Sequence, residues 1–213
     1  MRMRKKPNLI PRMEACSALW VREPEELRGS WRSLKPDAAL VRLELGCGKG
    51  RFTAETARQN PDILFIAIEK VPDAMVVAME RAMELELKNV FFVVGDAALL
   101  PDYFGPDEVD LIYINFCDPW PPKGQAKRRL THRGFLTLYR KVLKSGGQIH
   151  FKTDNQPLFE FSVLEFPEAG YQLSEVTRDL HASGPQGVMT DYEAKFYGEG
   201  LPINRCVGTL IPL

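Results

Sequence analysis

No apolar run in this 213-residue chain approaches the length of a membrane span. The first residues are basic, but no apolar stretch of the kind a secretory leader carries follows them. Cysteine is scarce and scattered. Cys16, Cys47, Cys117 and Cys206 form no C-x-x-C pair and no cluster with histidine, which argues against a zinc site and for reduced core or loop thiols. His132, His150 and His181 show no triad or metal spacing, so no metal is expected. There is no internal repeat and no low-complexity segment. A soluble, cytoplasmic protein is the expectation. The most informative absence is local: from Pro119 to Thr153 there is no Asp or Glu, while Lys123, Lys127, Arg128, Arg129, Arg133, Arg140, Lys141, Lys144 and Lys152 all fall inside. The N-terminus adds Arg2, Arg4, Lys5, Lys6 and Arg12, and acids elsewhere bring the formal charge to zero. One-signed stretches are usual where a protein meets phosphate, although a charge run taken alone is more often a solvated face.

What the chain does contain is short apolar runs alternating with amphipathic ones. Leu40–Leu45, Ile63–Glu69, Val90–Asp96, Val109–Phe116 and Gly147–Asp154 read as buried strands. Phe52–Gln59, Asp73–Leu87, Thr131–Leu143 and Pro157–Phe166 read as helices, with Ser145-Gly146-Gly147 as the glycine stop of the third. The alternation predicts an α/β fold around a doubly wound, mostly parallel sheet. After Gly170, "YQLSEVTRDL" and "NRCVGTLI" read as two strands with no clear helix between them, an antiparallel pair closing one edge. Residues 1–35 read as a basic, proline-punctuated extension and 36–213 as one domain.

Open sheets of this kind bind ligands beyond the carboxyl ends of their strands, and there the polar residues fall. "ELGCGKG" follows the first strand with Gly46, Gly48 and Gly50, and Arg51 stands where a dinucleotide fingerprint needs its third glycine. G-x-G-x-G suits a nucleoside without a pyrophosphate. Glu69 ends the second strand, where a carboxylate takes ribose hydroxyls. Asp96 ends the third, in reach of an adenine amino group or its hydrating water, and Asp118 follows the fourth. Singly, each has a plainer role as a tight turn or a helix cap. Glu44, Glu69, Asp96 and Asp118 at four strand ends of one rim point instead to a nucleoside-type cofactor.

"LELGCGKGRF", Gly95-Asp96, "DPWPPKGQAKRRL", "FKTDN" and "TDYEAKF" together resemble the bacterial tRNA (guanine-N7-)-methyltransferase family over nearly the whole chain. G-x-G-x-G is shared by very many S-adenosylmethionine enzymes, whereas D-P-W-P, K-R-R-L, F-K-T-D-N and T-x-Y-E in that order are far more specific. The resemblance implies a Rossmann-like S-adenosylmethionine-dependent methyltransferase fold. It also implies methyl transfer to N7 of guanine-46 in the tRNA variable loop, by a monomer or homodimer. Glu44, Gly46, Gly48, Gly50, Glu69, Asp96 and Asp118 then match cofactor contacts, with Asp118 catalytic. Asp154, Thr190, Asp191, Tyr192 and Glu193 match substrate positions, and Gly124–Arg129 the portion that touches RNA. The family usually carries Lys directly after D-P-W-P; here Pro122 stands there, so Lys123 or Lys127 takes its place beside Arg128 and Arg129. Gly124 and Gln125 stand where Arg and His are frequent.

The chemistry agrees with this implication. Guanine N7 has a lone pair and no proton, so its alkylation needs no strong base but puts positive charge on the purine. Asp118 can favour that cation or hold the cofactor's ammonium. Trp120 or Tyr192 can stack on an extruded base, and Trp120 can equally pack on its proline-rich turn. Two rivals remain. D-P-W-P is similar to the D/N-P-P-Y/W motif of exocyclic-amine methyltransferases, but Trp120 interrupts the prolines. A non-enzymatic RNA-binding module would keep the basic track without needing all four carboxylates.

Overall fold

The computed structural model describes residues 5–121 and 123–212. Arg2, Arg4, Pro122 and the side chain of Lys123, on which part of the sequence reading rests, lie outside the described residues. Helix α1 (Leu9–Ala15) precedes strand β1 (Leu40–Leu45), followed by α2 (Arg51–Gln59), β2 (Ile63–Glu69), α3 (Pro72–Glu84), β3 (Val90–Val94), α4 (Leu100–Tyr103) and β4 (Val109–Asn115). Then come α5 (Arg133–Tyr139), β5 (Leu143–Thr153), α6 (Gln156–Glu168), β6 (Tyr171–Thr177), α7 (Asp191–Gly198) and β7 (Asn204–Leu210). The seven strands form one sheet in the order β3-β2-β1-β4-β5-β7-β6. β3, β2, β1, β4 and β5 run parallel, and β7 is antiparallel to both β5 and β6. The strand order reverses between β1 and β4, which is where a doubly wound sheet opens a crevice at its carboxyl rim.

Alternation within β1 assigns the two layers. Val41, Leu43 and Leu45 share an apolar cluster with Leu136 of α5 and Phe159 of α6, while α2 and α3 bury Phe52, Ala57, Met75 and Met79 against Phe65 and Phe92 on the other face. The described part of the basic N-terminal stretch is packed down. Met13 joins the cluster under α3, and Trp31 is fully buried, its indole N–H donating to the Tyr103 carbonyl at 2.8 Å and its ring stacked on Phe104 at 4.9 Å.

Two expectations need correction. The helix predicted over Thr131–Leu143 spans only Arg133–Tyr139, and the glycines expected to stop it lie inside β5. The chain leaves α5 through tighter turns, the Lys141 amide donating to the Leu138 carbonyl and the Val142 amide to that of Tyr139, each at 3.1 Å, and the Val142 carbonyl then accepts the amides of Glu108 and Val109, each at 3.0 Å, as the chain enters the sheet. The second correction is α7, between β6 and β7, where no clear helix was expected. It is nucleated by a capping box, in which Thr190 Oγ1 accepts the Glu193 amide at 3.0 Å and Glu193 Oε2 accepts the Thr190 amide at 3.2 Å. Its one buried residue is the charged Glu193, so no apolar periodicity announces it.

Candidate active site

The carboxyl rim gathers the residues that the strand ends predict. Gly46, Gly48 and Gly50 all have positive φ. At Gly50 a Cβ would also lie 2.5 Å from that of Ala78, so this glycine lets α2 approach α3 rather than facing a ligand. Glu69 braces the loop: one oxygen accepts the Gly48 amide at 2.9 Å and the other the Val71 amide at 3.0 Å. Asp96 accepts the Ala98 amide at 3.0 Å and pairs with Lys70 at 2.7 Å. Burial opposes its ionisation, but that amide and the Lys70 ammonium prevail and its pKa lies below the ordinary value.

Glu44 is buried beneath this rim, where it accepts from the Thr53 hydroxyl and, at 3.0 Å, from Asn115 Nδ2. Burial pushes its pKa up to about 7 against those two hydrogen bonds. Asn115 Oδ1 is itself buried and has no partner among the described residues. Burial also raises the thiols of Cys47 and Cys117, the latter to about 12 with Asp118 adding to the effect, so neither is a ready nucleophile.

Asp118 and Asp154 are both exposed, on the loops that leave the adjacent parallel strands β4 and β5. The turn carrying Asp118 is held by Arg129. Its Nε donates to the Pro119 carbonyl at 2.9 Å and its Nη2 to the Trp120 carbonyl at 3.0 Å, and its guanidinium lies 4.4 Å over the Phe161 ring. Phe116, whose amide donates to the Lys152 carbonyl at 2.9 Å, and Trp120 both have positive φ in this turn. Arg128 lies 3.5 Å over the Trp120 ring, so one face of that indole is covered, while Lys127 and Arg128 remain exposed.

Helix α7 docks across the same end of the sheet. Glu193 is fully buried and pairs with Lys152 at 2.6 Å and His181 at 3.0 Å. His181 Nδ1 accepts the Gln186 amide, which directs its Nε2 proton to Glu193. Asp191 lies 3.8 Å from Arg51 of α2 and 3.5 Å from Arg81 of α3. The T-D-Y-E segment is thereby tied to the glycine-loop helix and to the end of β5. Thr190 and Glu193 are turned to this scaffold; Asp191 is exposed but paired with the two arginines, and Tyr192 is left 57% exposed.

A family model described as a putative methyltransferase matches residues 38–206. A tRNA (guanine-N(7)-)-methyltransferase of Listeria monocytogenes serotype 4b (strain F2365) is 42% identical over 206 residues, 96% of each chain. That of Geobacillus sp. (strain WCH70) is 44% identical over 207 residues, 97% of this chain and 94% of its own. The chain belongs to the bacterial tRNA (guanine-N7-)-methyltransferase family. Solved structures agree on the fold: the 16S rRNA methyltransferase KamB superposes with a TM-score of 0.66 at 20% identity, over 85% of this chain and 93% of its own. A 16S rRNA (adenine(1408)-N(1))-methyltransferase variant from Catenulisporales acidiphilia, with cosubstrate SAM, gives 0.61 at 16% identity, over 89% and 92%.

In this family member the acid-free run is not one basic surface. Arg133 pairs with Glu165 at 2.7 Å, Arg140 donates to the Ala169 carbonyl at 2.8 Å, Lys144 pairs with Asp110 at 2.6 Å, and Lys152 is buried against Glu193. The groups that engage these residues, acids for Arg133, Lys144 and Lys152 and a backbone carbonyl for Arg140, come from other segments, which a linear count does not see. Thr53, Asn115 and His181 are the side chains at the site that sequence reasoning missed. Asn115 had a signal, as the last residue of a strand three positions before Asp118; Thr53 and His181 had none.

Proposed function

We propose that this chain transfers the methyl group of S-adenosyl-L-methionine to N7 of guanine-46 in the variable loop of tRNA, giving 7-methylguanosine in the cytoplasm. What carries the reading is convergence. Carboxylates from β1, β2 and the loops after β3 and β4 lie at the carboxyl ends of the strands, with the D-P-W-P turn clamped beside them and α7 tied across the same end. The relatives' printed activity supports the same reaction.

The side chains present fit the cofactor. Glu44, Glu69, Asp96 and the unpartnered Asn115 Oδ1 are acceptors, which suits an ammonium group, ribose hydroxyls and an adenine amine. S-adenosyl-L-methionine supplies the electrophilic sulfonium methyl. Glu69 keeps lone pairs for ribose hydroxyls beyond those given to the Gly48 and Val71 amides. Asp96, fixed by Lys70 and Ala98, meets the adenine edge. Asp118 faces the purine and stabilises the positive charge that N7 alkylation creates. The Arg129 clamp holds that carboxylate in place, so that positioning supplies much of the rate. Exposed Tyr192 stacks on the extruded base, whereas Trp120, covered by Arg128, buttresses the turn. Asp154 lies on the neighbouring loop as a further substrate contact, and Lys127 and Arg128 follow the RNA backbone, joined by Lys123.

The test is to incubate the purified protein with unmodified tRNA and S-adenosyl-L-methionine, digest the RNA, and identify the modified nucleoside by mass spectrometry. The expected product is 7-methylguanosine mapping to the variable loop. A methylated adenosine would transfer the site to the exocyclic-amine class, and no product would remove the catalytic reading.

A further inference from the structure

F-K-T-D-N puts a lysine two residues before Asp154, and T-D-Y-E puts a glutamate directly after Tyr192. Neither side chain reaches the surface: Lys152 is 8% exposed and Glu193 0%. Lys152 Nζ donates to Glu193 Oε2 at 2.6 Å and to the Val188 carbonyl at 3.2 Å. Glu193 takes two further donors, the Thr190 amide on Oε2 at 3.2 Å and His181 Nε2 on Oε1 at 3.0 Å. The same ammonium lies 5.1 Å from the centre of the Phe52 ring in α2. The main chain of Lys152 adds another link, because its carbonyl accepts the Phe116 amide at 2.9 Å, two residues before Asp118. One residue therefore joins the three segments on which the proposed reaction rests. Its carbonyl holds the end of β4 that leads into the D-P-W-P turn, its side chain holds the T-D-Y-E helix, and Asp154 follows it in the chain.

Stability alone does not account for this arrangement. Burying two charges is costly, and apolar residues of similar volume often hold such a contact as well or better. What the ion pair and its hydrogen bonds add is direction, since each is confined to a narrow range of distance and angle. Helix α7 depends on that. It has eight residues, of which Glu193 is the one buried, so no apolar stripe fixes its rotation on the sheet. Tyr192 adjoins Glu193, and Phe196, one turn further on, lies 6.2 Å from Phe116. A rotation of α7 therefore moves Tyr192 relative to the turn that carries Asp118, and a misplacement of about 1 Å costs about a hundredfold in rate. We infer that Lys152 and Glu193, with His181 behind them, are positioning residues for methyl transfer, which touch neither cofactor nor RNA and set the T-D-Y-E helix against the Asp118 turn. The inference rests on the function proposed above, and it moves Glu193 from the substrate contacts that the family resemblance implies to their support.

The experiment measures kcat, KM for unmodified tRNA and melting temperature for wild type, His181→Gln, His181→Leu and the double variant Lys152→Met with Glu193→Leu. The charge of Lys152 also favours the ionised form of Glu44, so turnover is read at saturating S-adenosyl-L-methionine. Gln at position 181 keeps a donor for Glu193, and Leu does not. His181→Gln is expected to stay within about threefold of wild type in kcat, while His181→Leu falls about tenfold. The double variant, with an apolar pair in place of the charges, is also expected to lose about tenfold in kcat at a temperature where it is folded. In all three, KM for tRNA changes less than about threefold, because Lys127 and Arg128 still meet the RNA backbone. Wild-type kcat in the folded double variant, or equal kcat in the two His181 variants, overturns the inference. A loss confined to KM overturns it as well, by placing Glu193 on the RNA. If the double variant does not fold, the two His181 variants decide. Wild type that forms no 7-methylguanosine removes the proposed function and this inference with it, whereas variants that methylate like wild type remove the inference alone.

Discussion

At the residue scale, two carboxylates with different surroundings carry different expectations. Asp118 is exposed on a clamped turn. Asp118→Ala is expected to lower turnover at least a hundredfold, about 3 kcal/mol of transition-state stabilisation, with tRNA affinity changed less than threefold. Single-turnover kinetics beside filter binding separates the two, and intact turnover would remove Asp118 from the mechanism. Glu44 is buried, with a pKa near 7 against an ordinary 4.5. The folded state therefore holds a proton that the unfolded chain has released between those values, so stability is fully present below about 4.5 and falls as pH rises through 7. A shift of that size corresponds to roughly 3 kcal/mol at alkaline pH. Glu44→Gln is expected to melt higher than wild type at pH 8 and to converge with it near pH 4.5, by calorimetry across pH. The same ionisation should make wild-type affinity for S-adenosyl-L-methionine rise through neutral pH, a dependence the Gln variant lacks. Glu44 was legible in the sequence as a carboxylate at the end of a strand; its burial, and hence its pKa, was not.

At the scale of elements, α7 depends on two devices of different strength. The capping hydroxyl of Thr190 is worth about 1 kcal/mol. Glu193 holds Lys152 in a fully buried pair, and removing one partner of such a pair typically costs about 3–5 kcal/mol because the other charge is left stranded. Thr190→Ala should therefore lower the melting temperature by a few degrees. Glu193→Ala should lower it several times further, and Lys152→Met combined with Glu193→Leu should recover part of the loss. Denaturant unfolding of the four proteins decides this, and a Glu193→Ala variant as stable as Thr190→Ala would show that the pair does not hold the helix. The strands that build the parallel half were legible because burial on both faces writes continuous apolar runs such as Ile63–Glu69. Helix α7 was not, because a short helix anchored by a capping box and an ion pair has no apolar stripe to read. The shortening of α5 was illegible for another reason: the chain that follows it is drawn into the sheet by Glu108 and Val109, distant in sequence, whose amides donate to the Val142 carbonyl.

At the scale of the molecule, RNA affinity should follow the few basic side chains that remain free rather than the length of the basic run. Lys127→Gln with Arg128→Gln is expected to weaken tRNA binding and to reduce the slope of log K against log salt by up to about 2. Arg129→Ala should leave that slope nearly unchanged and lower turnover instead, since Arg129 bonds Pro119 and Trp120. Filter binding at four salt concentrations separates these outcomes, and an equal loss of slope in both would place Arg129 on the RNA.

Taken alone, the sequence determined the alternation of strand and helix, the doubly wound, mostly parallel sheet, and the placing of Glu44, Glu69, Asp96 and Asp118 at or beside the carboxyl ends of four strands. These are local matters: apolar periodicity chooses an element, and the residue that ends a strand lies at the sheet's edge. Only the tertiary structure decided which charges are free. Arg133, Arg140, Lys144 and Lys152 look alike in the acid-free run, yet each is engaged by a group contributed from elsewhere, while Arg42, unremarked within an apolar strand, is left without a carboxylate. Pairing depends on distances of a few ångströms between segments far apart in the chain, and a one-dimensional pattern does not carry those distances.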